Sequence, residues 1–261
     1  MNGVNCAIAS CQRSGLALLI ALLVSAGAGT LHAADHLNLE EGLPVKVEDA
    51  YPIAFRGREV QTAFRYERTD GDKDRVVIDP RIEFGFAPNW QGKISVPFLL
   101  GSADRTDSGN VGLEAFYNFN TEGLALPAFA LSARGDLPTG RDSAGLDTKL
   151  KAIMTKNVSK TGLDRIHLNF AWKRNAGARS GQREDLYHAV IGYSRRLDAD
   201  TVLVADFVRE QEIEKKHEAN IMELGIRRQV TPLTLISFGL GAGVGDESPK
   251  LRAMFGIQKS F

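Results

Sequence analysis

From residue 57 onward the chain falls into short blocks in which apolar and polar side chains alternate. "RIHLNFAWKR" is the cleanest: Ile166, Leu168, Phe170 and Trp172 share one face, and His167, Asn169 and Lys173 lie on the other. "REVQTAFRYER" sets Val60, Thr62, Phe64 and Tyr66 against Gln61, Arg65 and Glu67, and "VVIDPRIEFGF" sets Ile78, Ile82 and Phe84 against Asp79, Arg81 and Glu83. A period of two is that of a β-strand whose faces meet different surroundings. Twelve such segments are predicted, near residues 57–68, 75–87, 90–101, 111–120, 125–135, 148–158, 165–174, 186–196, 201–211, 218–229, 233–245 and 250–261. Phasing is ambiguous in the ninth and tenth, because Val202, Val204 and Asp206 share a face.

The connections sort by length. Odd-numbered segments are followed by polar stretches such as "TDGDKD", "SADRTDSGN" and "NAGARSGQRED", and even-numbered ones by generally tighter turns such as "APN", "LDAD" and "VTP". A two-sheet sandwich also alternates, with its apolar faces meeting in a core, but gives no reason for loop length to alternate. A membrane barrel does, with long loops outside and short turns in the periplasm. The fold class expected is therefore all-β, an antiparallel up-and-down transmembrane β-barrel of about 12 strands over residues 57–261.

The amino end fits that destination. Arg13, an apolar run from Leu16 to Val24 and small residues closing at Ala33–Ala34 read as a cleaved secretory signal over 1–34. The run is too short for a membrane-spanning helix, which needs about 20 apolar residues. Cleavage removes both cysteines, Cys6 and Cys11, so disulfides, thiolate metal sites and a cysteine nucleophile are excluded from the mature chain. Charge is balanced, 32 basic against 32 acidic residues, which gives no electrostatic case for nucleic acid. Residues 35–56, "DHLNLEEGLPVKVEDAYP" among them, are acidic and are assigned to a short periplasmic segment, with inward folding as a plug the alternative.

The carboxy end, "LRAMFGIQKSF", places Leu251, Ala253, Phe255, Ile257 and Phe261 on one face. It resembles the terminal insertion signal of bacterial outer-membrane proteins, with Phe255, Ile257 and Phe261 as the assembly signal and Lys259 departing from the pattern. "ALSARGDLPTGRDSAGLDTKLKAIMTK" and "FAPNWQGKISVPF" are similar to a family of Gram-negative outer-membrane barrels labelled as phenol-degradation meta-pathway proteins or transporters. That resemblance implies location in the bacterial outer membrane and a channel for small compounds, aromatic or hydrophobic ones among them. It supplies no catalytic residues, so no enzyme activity is expected.

Function then resides in the lumen. The inward set is Arg65, Arg81, Glu83, Lys93, Glu114, Lys149, Lys151, His167, Lys173, Asp206, Arg227 and Arg252, with bases outnumbering acids. Gly239, Gly241 and Gly243 line the same side and leave room for long side chains, an inward loop or a permeant; strand curvature is the competing explanation. Two alternatives stand beside the channel. Opposite charges could pair across the lumen and seal it, leaving a structural or surface-interaction barrel. An outer-membrane lipid hydrolase is the other, against which His188 is followed by Ala189 and Val190 with Ser194 six residues away. No metal or cofactor is expected. The partners expected are outer-membrane lipid and lipopolysaccharide, the barrel-assembly machinery and a small-molecule permeant.

Overall fold

A computed structural model describes residues 34–69, 72–103, 107–141, 143–215 and 217–261. The signal segment and part of the "TDGDKD" and "SADRTDSGN" loops lie outside the described residues. The described residues up to Ser260 form one compact unit, the barrel.

Its strands are β1 (Arg58–Arg68), β2 (Asp74–Ala87), β3 (Trp90–Ser95), β4 (Phe98–Leu100), β5 (Asp107–Ser108), β6 (Val111–Asn118), β7 (Ala128–Leu137), β8 (Asp147–Asn157), β9 (Asp164–Arg174), β10 (Asp185–Arg196), β11 (Thr201–Gln211), β12 (Glu218–Thr231), β13 (Thr234–Gly243) and β14 (Leu251–Ser260). Sequential neighbours pair antiparallel, and β1 pairs with β14 as well as with β2, so the sheet closes on itself. β3 and β4 form one spanning strand interrupted at Pro97, which has no N–H to give a ladder; β5 and β6 form the next, interrupted at Gly109 and Asn110. The result is a closed barrel of twelve spanning strands.

Closure is what this alternation demands, because a sheet in lipid can leave no edge unpaired. The outward face is apolar: Leu168 and Phe170 are exposed while their neighbours His167 and Asn169 are buried inside. Phe86, Trp90, Tyr117 and Phe119 form a run of ring contacts 5.8, 4.6 and 5.0 Å apart where β2, β3 and β6 meet the short turns. Aromatic bands of this kind mark the interfaces of membrane barrels.

Two segment starts move. The fourth spanning strand begins at Asp107 instead of near 111, and the fifth at Ala128 instead of near 125, leaving Leu124 and Leu126 exposed in the turn. Asn120 holds that turn wide: its Nδ2 donates to Pro127 O at 2.8 Å and its Oδ1 accepts from Phe129 N at 3.1 Å. The ambiguous ninth segment resolves with Val202, Val204 and Asp206 facing inward, joined by Val208.

Residues 35–56, assigned from sequence to the periplasm with inward folding as a plug the alternative, run inside the barrel as far as Ile53. The segment enters at the short-turn end, where Ala34 N donates to Pro232 O, and leaves at that end, where Arg56 N donates to Gly85 O. Between them Leu39, Val45 and Val47 pack on Val190, Val202, Val204, Val208 and Ile221 of the wall, and Ala50 and Tyr51 pack on Phe116, Ala130 and Ile153. Inward valines on β11 thus face an apolar partner and not water. The core of this protein is the contact between a barrel and its own amino-terminal segment.

Candidate functional site

The buried segment carries backbone N–H groups with no strand neighbour, and an unpaired buried N–H is costly. Wall side chains supply the acceptors. Glu223 accepts from Lys46 N (2.8 Å), Asp206 from Val47 N (2.7 Å), Asn169 from Glu48 N (2.8 Å), Thr155 from Ala50 N (2.9 Å) and Gln91 from Ile53 N (2.8 Å). These residues come from five strands, so the clamp exists only once the barrel has closed. Asn169 also donates to Glu48 O at 2.8 Å, and Asn118 donates to Ala50 O at 2.6 Å.

Close approach requires glycine at the wall. A Cβ on Gly239 would lie 2.1 Å from Pro44 O, and one on Gly256 would lie 2.0 Å from Leu43 Cδ2. Of the glycines singled out from sequence, Gly239 therefore makes room for the inward segment. Gly241 and Gly243 do not: their nearest neighbours are Glu223 and Met222 in one case and Pro249 and Ser248 in the other.

The structure turns the charged side chains of the inward set toward the lumen, and all but Asp206, which accepts from Val47 N, meet an opposite charge or a carbonyl. Lys93 lies 3.0 Å from Glu40 of the inward segment and 2.9 Å from Glu83. Arg252 binds Glu67 (2.6 Å), Glu223 (2.9 Å) and Glu210 (2.5 Å). Arg227, fully buried, donates to Leu43 O at 3.2 Å and to Gln258 at 2.6 Å. Arg81 holds Asp79 at 2.8 Å and Glu41 O at 2.7 Å, Arg65 lies 3.5 Å from Glu67, and Lys173 lies 3.2 Å from Asp147 near the long-loop end. Lys151 pairs with Glu48 and Glu41. Such buried pairs hold position well and add little net stability, since desolvation offsets most of the attraction.

A Ser–His contact escaped the sequence reading because its members are distant in the chain. His167 Nε2 lies 2.9 Å from Ser194 Oγ and its Nδ1 lies 3.0 Å from Thr155 Oγ1. The geometry fits an Nε2–H imidazole donating to Ser194 and accepting from Thr155. Among the described residues no carboxylate orients this histidine as a hydrolytic triad would require, and Thr155 is occupied with Ala50 N. The group braces the inward segment.

Above the apex of that segment, toward the long loops, lies a cavity of about 190 Å³. Lys46, Arg65, Arg81, Lys93, Arg134, Lys149 and Arg252 line it, seven cations against the three acids Glu41, Asp79 and Glu114. Glu41 forms part of its floor. Burial pushes the Glu41 carboxyl up, but Lys149, Lys151 and Lys46 outweigh that and hold it well below the usual carboxylate range.

A closed antiparallel ring of twelve strands with an apolar outside and a charged inside is a transmembrane β-barrel of the outer-membrane type. Among solved structures, the chain is similar to an outer membrane channel from Pseudomonas putida F1 (13% identity, TM-score 0.63), covering 83% of this chain and 100% of that one. It is also similar to the NanC porin (10%, TM-score 0.52, covering 78% of this chain and 98% of that one) and to the KdgM porin (15%, TM-score 0.52, 77% and 99%). At these identities the likeness is one of fold; these neighbours are channels and porins. No family model matches the chain, and no curated protein matches it.

Proposed function

We propose that the protein is an outer-membrane channel for small anionic solutes, held shut at rest by its own residues 34–56. The excess of cations around the cavity above the plug carries this reading, because a basic constriction concentrates anions and repels cations. The plug supports the resting closure: Leu39, Leu43, Val45 and Val47 are each no more than 1% exposed, so no water-filled path passes them. An aromatic carboxylate would satisfy both the charge of the cavity and the small aromatic compounds that the sequence resemblance implies. A permanently sealed structural barrel is the second reading, favoured by the same packing.

Planar-bilayer recording separates them. Deleting residues 35–55 removes five acids (Asp35, Glu40, Glu41, Glu48, Asp49) and one base (Lys46), so the lumen gains four units of positive charge. The deletion variant should conduct more than the full chain, with a reversal potential in a KCl gradient that favours chloride. Silence from a variant that still runs as a folded barrel on an unheated gel would overturn the channel reading.

A further inference from the structure

The contacts of Glu41 differ from those of the other lumen acids. Its carboxylate accepts from Lys149 Nζ at 2.8 and 3.2 Å and from Lys151 Nζ at 2.8 Å, and Lys46 Nζ stands 3.0 Å away. Three ammonium groups thus converge on one carboxylate. Among the described residues, Lys149 has no other ion-pair partner. The side chains of Glu41 and Lys149, both lining the cavity, are 21% and 20% exposed, whereas Lys93, which also lines it, is 5% exposed and its partner Glu40 1%. Glu41 and Lys149 are therefore the pair most open to the cavity; Lys151, 5% exposed, bonds Glu41 without lining it.

We infer that Lys149, on the cavity lining, and Lys151, beside it, form a carboxylate-binding subsite, and that Glu41 is its resident occupant, exchanged for the carboxylate of an incoming solute. The inference rests on the channel reading for its consequence. A cavity of about 190 Å³ exceeds the about 150 Å³ that suffices for benzene, so it has room for an aromatic monocarboxylate. The incoming carboxylate takes the charge-assisted hydrogen bonds that Glu41 gives up, so exchange leaves no lysine unpaired. It also releases the apex of the plug from the wall. Anion binding and opening would then be linked, because a ligand that binds only the released state shifts the population toward it.

Benzoate titrated calorimetrically into the full-length protein in detergent tests the exchange. Glu41→Gln removes the competing charge at nearly constant size, and benzoate should bind it at least tenfold more tightly than it binds wild type. Lys149→Gln combined with Lys151→Gln should weaken binding at least tenfold, and neutral benzyl alcohol should distinguish none of the three. Equal benzoate affinity in Glu41→Gln and wild type would overturn the inference, as would undiminished binding by the double variant. Should the double variant not assemble, the Glu41→Gln comparison decides alone. A plug deletion that conducts while Glu41→Gln gains no affinity refutes the subsite and leaves the channel; the expected benzoate binding with silent bilayers refutes the channel and leaves the subsite.

Discussion

Replacing Gly239 with alanine tests whether the wall was shaped for the plug. The added Cβ would stand 2.1 Å from Pro44 O, where contacts under 3.0 Å essentially never occur, so something must move by about 0.9 Å. Gly239 is held on both sides, opposite Gly225 of β12 and Met254 of β14, and shifting it would break two ladders. The plug is held by side-chain contacts and is the part that yields. Overpacking of this size costs about 1–3 kcal/mol, equivalent to a 5- to 150-fold shift from the seated to the unseated segment. Hydrogen exchange reads this directly, because the amides of Lys46, Val47, Glu48 and Ala50 are protected only by the wall acceptors. They should exchange faster by that factor while amides of β8 to β11 stay unchanged. A Gly123→Ala control, where an added Cβ meets nothing within 4 Å, should alter neither set. Unchanged exchange of the four plug amides in Gly239→Ala would refute the close fit; equal acceleration throughout the barrel would show that the wall had yielded instead.

Adjacent residues on β9 should respond differently to the same charge. Leu168→Arg puts a cation in lipid at a cost of about 2–4 kcal/mol and should reduce the yield of heat-modifiable barrel on gels. Asn169→Arg should assemble but lose both contacts to Glu48, read as faster exchange or proteolysis of the plug; impaired assembly equal to that of Leu168→Arg would contradict the assigned faces. Deleting Phe261 should lower the yield of assembled barrel in cells with little effect on the melting temperature of what does assemble, and normal yield would remove it as an insertion signal. Arg227→Met should expose the Leu43–Pro44 region to exchange by removing the donor to Leu43 O, and protection equal to wild type would show that the arginine is dispensable to the plug.

Strand number, facing and closure were legible because each depends on local repetition. Alternation at period two in "RIHLNFAWKR" already separates lipid-facing Leu168 from inward Asn169, and antiparallel neighbours joined by short turns leave few other pairings. Proline and asparagine set the exceptions locally, at the Pro97 interruption and the widened turn braced by Asn120. The chemistry of the lumen was half legible: phase points Lys149, Lys151 and Arg252 inward without naming what answers them. For the lysines that answer lies about a hundred residues away, in Glu41 and Glu48; for the arginine it is split among Glu223, Glu210 and Glu67, which are 29, 42 and 185 residues away. Residues 34–56 show no strand period because they pair with no strand. Their N–H groups are satisfied by side chains from five strands, a condition that no short window of sequence contains. Sequence alone determined a barrel with a charged interior, since lipid and water sort side chains residue by residue. Tertiary closure alone decided that the interior is occupied, because only a closed ring brings Gln91, Thr155, Asn169, Asp206 and Glu223 around one extended segment.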